Sequence, residues 1–144
     1  VALLDTGFFY PLQLLLHQGR IRPTREAVMT YFQRAPTTLF NAKWHILQGT
    51  VDLYWACIDA AHAALMKQKE MPPAPKEIAA VMQEKLVTKG LVNEKHVKSM
   101  DKFYKLSKLI LHRERKEMSG KEFDALYLEA RDFVEAMRKI VEAK

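Results

Sequence analysis

The chain has 144 residues, 49% of them hydrophobic and 28% charged, enough for one domain with a real core and too few for two. Its single cysteine, Cys57, rules out an internal disulfide framework, and no apolar run approaches the roughly 20 residues that span a bilayer, so a reducing, cytoplasmic setting without membrane insertion is expected. The net charge of +6 is matched by one segment, Lys95 to Lys116, where eight Lys or Arg stand against Asp101 and Glu114; such a patch suits nucleic acid, nucleotide phosphates or an acidic surface, though lysines at period four are also the ordinary solvated face of a helix.

In chain order, Val1 to Leu4 reads as an apolar strand with no partner strand, leaving through Asp5, Thr6 and Gly7; residues 1–6 are therefore expected to end a sheet that belongs to an upstream domain. Residues 7–36 are expected to form short connecting helices. Gly7 to Gln18 carries Phe8, Phe9, Leu12, Leu15 and Leu16 and stops at Gly19, and Thr24 caps a second helix to about Gln33, interrupted at Ala35 and Pro36. Exposed apolar groups on these helices favour a homodimer.

A bundle is expected over 37–144. Its long first helix continues to about Lys69 and contains the almost wholly apolar run Val51 to Met66. At roughly 100° per residue, His45, Gln48, Asp52, Trp55, Asp59 and His62 share one face of it. Carboxylates in apolar surroundings need cationic partners or a polar cleft, so this stripe is expected to be buried against one. Pro72, Pro73 and Pro75 make a stiff turn, a helix follows from Lys76 to about Thr88, and Gly90 stops it. Asn93 caps a basic helix to Arg115, on which Asp101, Lys105, Lys108, His112 and Arg115 share a face with Tyr104 at its margin. Ser119 and Glu122 form a capping box for the last helix, to Val141. Asp59 is thus expected to face the Lys105–His112 stripe. The groove residues are Trp55, Asp59, Tyr104, Lys105, Lys108 and His112; a ligand-free pattern of bundle salt bridges is the competing interpretation.

Asp59 and His62 also have the i, i+3 spacing of a carboxylate–histidine metal pair, but a bundle site draws on two helices and the others offer lysines, so no metal is assigned. His17 and His96 read as surface or linker residues, and Cys57 as an inert core thiol.

The strings LYWACIDAAHAALM, MPPAPKEI, LVTKGLV and FYKLSKLILH, in that order from Phe40 to the C-terminus, resemble a HEPN domain. The stretch ALLDTGFFYPLQLLLHQGRIRPTREAV is similar to the junction in archaeal proteins where a minimal nucleotidyltransferase domain precedes a HEPN domain. The resemblance implies an all-α, up-and-down bundle of four to five helices, usually dimeric, akin to the helical domain of kanamycin nucleotidyltransferase. It also implies two activities. One is metal-independent RNA cleavage by an Arg followed, after four to six residues, by a His. None of His17, His45, His62, His96 or His112 has that Arg, and the nearest substitute is Lys105 with His112, whose lysine lacks the guanidinium fork. The other is nucleotidyl transfer, which needs a Gly-Ser phosphate grip and an Asp-x-Asp magnesium pair. Neither occurs here, so nucleotide and magnesium chemistry would lie in an upstream nucleotidyltransferase domain, with no cofactor held by this chain. The primary expectation is a non-catalytic HEPN-like module that dimerises and lends a groove to nucleotide or short-RNA binding; the alternatives are a toxin-type endoribonuclease using Lys105 and His112, and a purely structural assembly domain.

Overall fold

The helices Arg25–Lys67 and Glu94–Leu111 each run between a side-chain cap, Thr24 or Asn93, and a left-handed stop, Lys69 or Arg113. The computed structural model describes residues 9–20 and 22–144, and those residues are all-helical without a strand. The strand expected over Val1 to Leu4 lies outside the described residues, as does Phe8. Five α-helices are present: α1 (Phe9–His17), α2 (Arg25–Lys67), α3 (Ile78–Met82), α4 (Glu94–Leu111) and α5 (Gly120–Glu142). The chain divides into two units, Val1–Phe40 and Asn41–Lys144.

In the first unit α1 closes at Gly19, whose φ of 68° needs the left-handed region. The Arg20 and Gly19 amides donate to the Leu15 and Leu16 carbonyls at 2.9 and 3.0 Å, the paired bonds of a Schellman end. Thr24 caps the next helix as expected, its Oγ1 accepting from the Ala27 amide at 3.1 Å. The break expected at Ala35 and Pro36 is not there: α2 runs through Pro36. Proline removes one bond, the one its missing N–H would give to the Phe32 carbonyl, and the turns on either side remain helical.

In the second unit the core is a set of seams in register. From α2 come Tyr54, Cys57, Ile58, Ala61, Ala64 and Leu65, at the i, i+3, i+4, i+7 spacing of one helical face. Against them pack Ile78 and Met82 of α3, Leu86 just beyond it, Met100 and Phe103 of α4, and Leu126, Ala130, Phe133, Met137 and Ile140 of α5. Leu47, Val51 and Ile110 form a smaller cluster. The helices of this unit are thus a bundle around one principal core.

Two helices depart from their expected boundaries, and the end of α2, close to where it was expected, shares the geometry of the second. The helix expected over Lys76 to Thr88 is a 3₁₀ turn at Pro75–Glu77, then α3, then a π turn at Gln83–Val87. The basic helix ends at Leu111 rather than Arg115, because Arg113 adopts φ 59° and the Glu114 and Arg113 amides close on the Leu109 and Ile110 carbonyls at 2.8 and 3.0 Å. Lys69, at φ 65°, ends α2 in the same way, just after the last α2 residue, Lys67. Asn93 and Ser119 do cap α4 and α5, accepting from the Lys95 and Glu122 amides at 2.8 and 3.1 Å. The carboxylate of Glu122 reaches Arg115 Nη2 at 2.5 Å, so the reciprocal half of the capping box gives way to an ion pair.

Candidate binding site

The apolar seam of α2 faces the core, and the stripe of polar and aromatic residues on its other side faces water. Asp52, Trp55 and Asp59 are exposed, which overturns the expectation of buried carboxylates. The run Val51 to Met66 is apolar on nearly every side, but part of its composition is alanine and tryptophan on the solvent face. Asp59 makes no ion pair among the described residues, with Lys105 or with any other cation. Asp59→Ala is therefore expected to change stability by less than about 0.5 kcal/mol in urea unfolding; a loss above about 2 kcal/mol would mean that the aspartate is paired after all.

The basic helix is largely neutralised. Lys95 pairs with Asp132 at 2.8 Å, Lys98 with Glu94 at 3.4 Å, Lys102 with Glu129 at 2.6 Å and Lys105 with Asp101 at 2.6 Å. Ser99 also donates to Glu129, at 2.8 Å. Lys108 alone among the α4 lysines has no such carboxylate among the described residues. Its ammonium lies instead 5.6 Å from the centre of the Tyr104 ring, a cation–π contact within one turn.

Tyr104 connects that charge to α2. Its ring is 6.3 Å from that of buried Tyr54, which in turn is 5.1 Å from Trp55. Trp55 is 49% exposed, so this line of rings ends in solvent at one side and in Lys108 at the other. Burial, with Tyr104 second, holds the Tyr54 hydroxyl above the usual tyrosine pKa, so it stays a neutral donor in any physiological range.

Of the six expected groove residues, the structure thus brings together Trp55, Tyr104 and Lys108, through Tyr54. Lys105 stands elsewhere, on the groove between α4 and α5 with Asp101, Leu106, Arg115 and Leu126. His112 is the C-cap of α4, exposed, and seven residues from Lys105, about 10 Å along a helix axis. His62, of the metal spacing, has its Nε2 3.3 Å from the Pro73 carbonyl and so ties the proline turn to α2. Among the described residues no three His, Cys, Asp or Glu are gathered as a metal would require.

Sequence reasoning missed one residue and misread another. Tyr54 fits the core period and gives no sign that it bridges two exposed groups. His96, expected at the surface, is buried edge-on to Phe133 with ring centres 5.9 Å apart. The signal was present, since His96 precedes Met100 and Phe103 by four and seven residues on the apolar face of α4. Burial lowers its pKa, the nearby Asp132 opposing and Lys95 assisting, which favours the neutral ring.

No family model, no curated protein and no solved structure matches this chain.

Proposed function

We propose that this chain is a non-catalytic helical module of HEPN type, carried by a nucleotidyltransferase-type protein, that binds a nucleotide or short single-stranded RNA along the Trp55–Tyr104–Lys108 edge. The observation that carries the reading is Lys108: four neighbouring lysines are matched by carboxylates, and this one sits over an aromatic ring beside an exposed tryptophan. A nucleotide presents the matching pair of chemistries, a base that stacks and a phosphate that seeks a cation. Asp52 and Asp59 stand a turn to either side of Trp55 and repel phosphate there, so the base takes Trp55 and the phosphate is directed to Lys108.

The test is titration of a short single-stranded oligoribonucleotide at two salt concentrations, followed by tryptophan fluorescence and calorimetry. Trp55→Ala is expected to weaken binding by roughly 10-fold or more, the worth of one stacked base. Lys108→Ala is expected to weaken it and to flatten the dependence of log K on log salt by about 0.7. Affinity that both variants leave untouched overturns the site, and absence of any salt-sensitive binding leaves an assembly role. The same RNA should remain intact without metal; cleavage that His112→Ala abolishes would make the endoribonuclease reading correct.

A further inference from the structure

Lys108 and Trp55 give the binding edge a direction along α2. The Tyr104 ring of α4 stands beside Tyr54, and Ile110, six residues on, packs with Leu47 and Val51. The two helices are therefore antiparallel, and Lys108, one turn past Tyr104, lies on the side of Trp55 toward the N-terminus of α2. Asp59 lies on the other side, one turn past Trp55 and about 40° from it around the helix. Measured from the level of the paired tyrosines, Lys108 and Asp59 stand roughly 13 Å apart along the axis, the span of one nucleotide from its phosphate to the far edge of its base. A base stacked on Trp55 with its phosphate at Lys108 thus turns its Watson–Crick edge toward Asp59.

The chemistry of Asp59 then decides which base is held. The side chain is exposed and makes no ion pair among the described residues, so its oxygens are open to a ligand. A carboxylate accepts through two oxygens side by side and donates nothing. Of the four RNA bases, guanine alone presents two adjacent donors on its Watson–Crick edge, N1–H and the 2-amino group, and so meets both oxygens at once. Adenine and cytosine set a ring-nitrogen lone pair beside their amino donor, and uracil flanks its one N–H with carbonyls; each turns an acceptor toward the carboxylate. The guanine contact is charge-assisted as well as bidentate, which makes it the strongest of the four. Asp52 is placed for a different part of the ligand, one turn from Trp55 toward the Lys108 end, beside the sugar and phosphate. We infer that Asp59 reads the base at this site, and that the ligand it selects is a guanine nucleotide, free or within single-stranded RNA. The inference rests on the nucleotide reading of the Trp55–Tyr104–Lys108 edge.

The test is calorimetric titration of the protein with the 5′-monophosphates of guanosine, inosine and adenosine, and with short oligouridylates carrying one of these three bases. All three purines offer a similar face to Trp55, so differences among them report the hydrogen-bonding edge. Guanine is expected to bind roughly 10-fold more tightly than adenine, and hypoxanthine, which lacks the 2-amino donor, to fall between them. Asp59→Asn keeps the shape of the side chain but pairs one acceptor with one donor, the pattern that matches adenine. It is expected to abolish the guanine advantage and turn the preference toward adenine, an exchange that an aspartate with a merely structural role could not produce. A guanine preference in the oligomers alone assigns the site to RNA, and one in the monophosphates as well extends it to free nucleotide. Equal affinity for the three purines, with binding still weakened in Trp55→Ala and Lys108→Ala, overturns the base assignment and leaves the nucleotide site standing. So does a guanine preference that survives Asp59→Asn. Absence of Trp55-dependent binding by every one of these ligands overturns both.

Discussion

Phe133→Ala is expected to destabilise the bundle by about 3–5 kcal/mol, the range for truncating a fully buried ring. Phe133 is fully buried in α5, in phase with Leu126, Ala130, Met137 and Ile140, and belongs to the core cluster that α5 shares with α2, α3 and α4. Its ring also forms the wall against which His96 stands edge-on, at an interplanar angle of 74°. Truncation removes the transfer energy of the ring and leaves a cavity beside an imidazole that was kept dry by it. The expected reading is a fall in melting temperature on the order of 10–25 °C for a unit of this size. A loss below about 1.5 kcal/mol would show that the helices close over the gap, and that the seam is not fixed by this residue.

Leu86→Ala is expected to cost about 2–5 kcal/mol. Leu86 is fully buried although it belongs to the π turn Gln83–Val87 rather than to a regular helix, and it shares the core with Ile78 and Met82 of α3. Its carbonyl also accepts the Leu91 amide at 2.9 Å, part of the stop at Gly90, whose φ is 69°. The wide turn and the stop together hold the side chain inward. Urea unfolding of the variant measures this directly; a change under about 1 kcal/mol would place Leu86 at the surface and return the segment to an ordinary helix with a frayed end.

The helices themselves were legible in the sequence because their signals are local. Thr24, Asn93 and Ser119 cap where they were expected to, the proline run Pro72 to Pro75 breaks the chain, and Gly19 and Gly90 stop it. Lys69 and Arg113 do the same work as those glycines, yet neither residue type announces a left-handed stop, and so the basic helix was read four residues too long. The candidate site was legible only in part, for a different reason. Lys98 and Lys105 pair with Glu94 and Asp101 one turn away on α4 itself, but whether Lys95 and Lys102 are free depends on Asp132 and Glu129, which arrive from α5 some 37 and 27 residues later. Periodicity places Lys102, Lys105 and Lys108 on the helix but says nothing of what the facing helix brings. The aspartates of α2 were misjudged because a run rich in alanine is apolar by composition without being buried on every side; the seam Tyr54 to Leu65 fixes the inward face and leaves Asp52 and Asp59 outside it.

Cys57, the one thiol in the chain, lies on that inward face with no exposed surface, and burial, with the Glu129 charge second, pushes its pKa up to about 12. In the closed fold it is therefore both out of reach of a reagent and almost never a thiolate. Any thiol reagent must wait for the seam to part, so the rate at which Cys57 is labelled is a clock of the opening of the core. Under conditions where the seam recloses faster than the reagent reacts, that rate divided by the rate for an unfolded thiol equals the opening equilibrium constant. The protein thus carries its own probe of breathing motions, one that needs no introduced label and reports from the centre of the bundle.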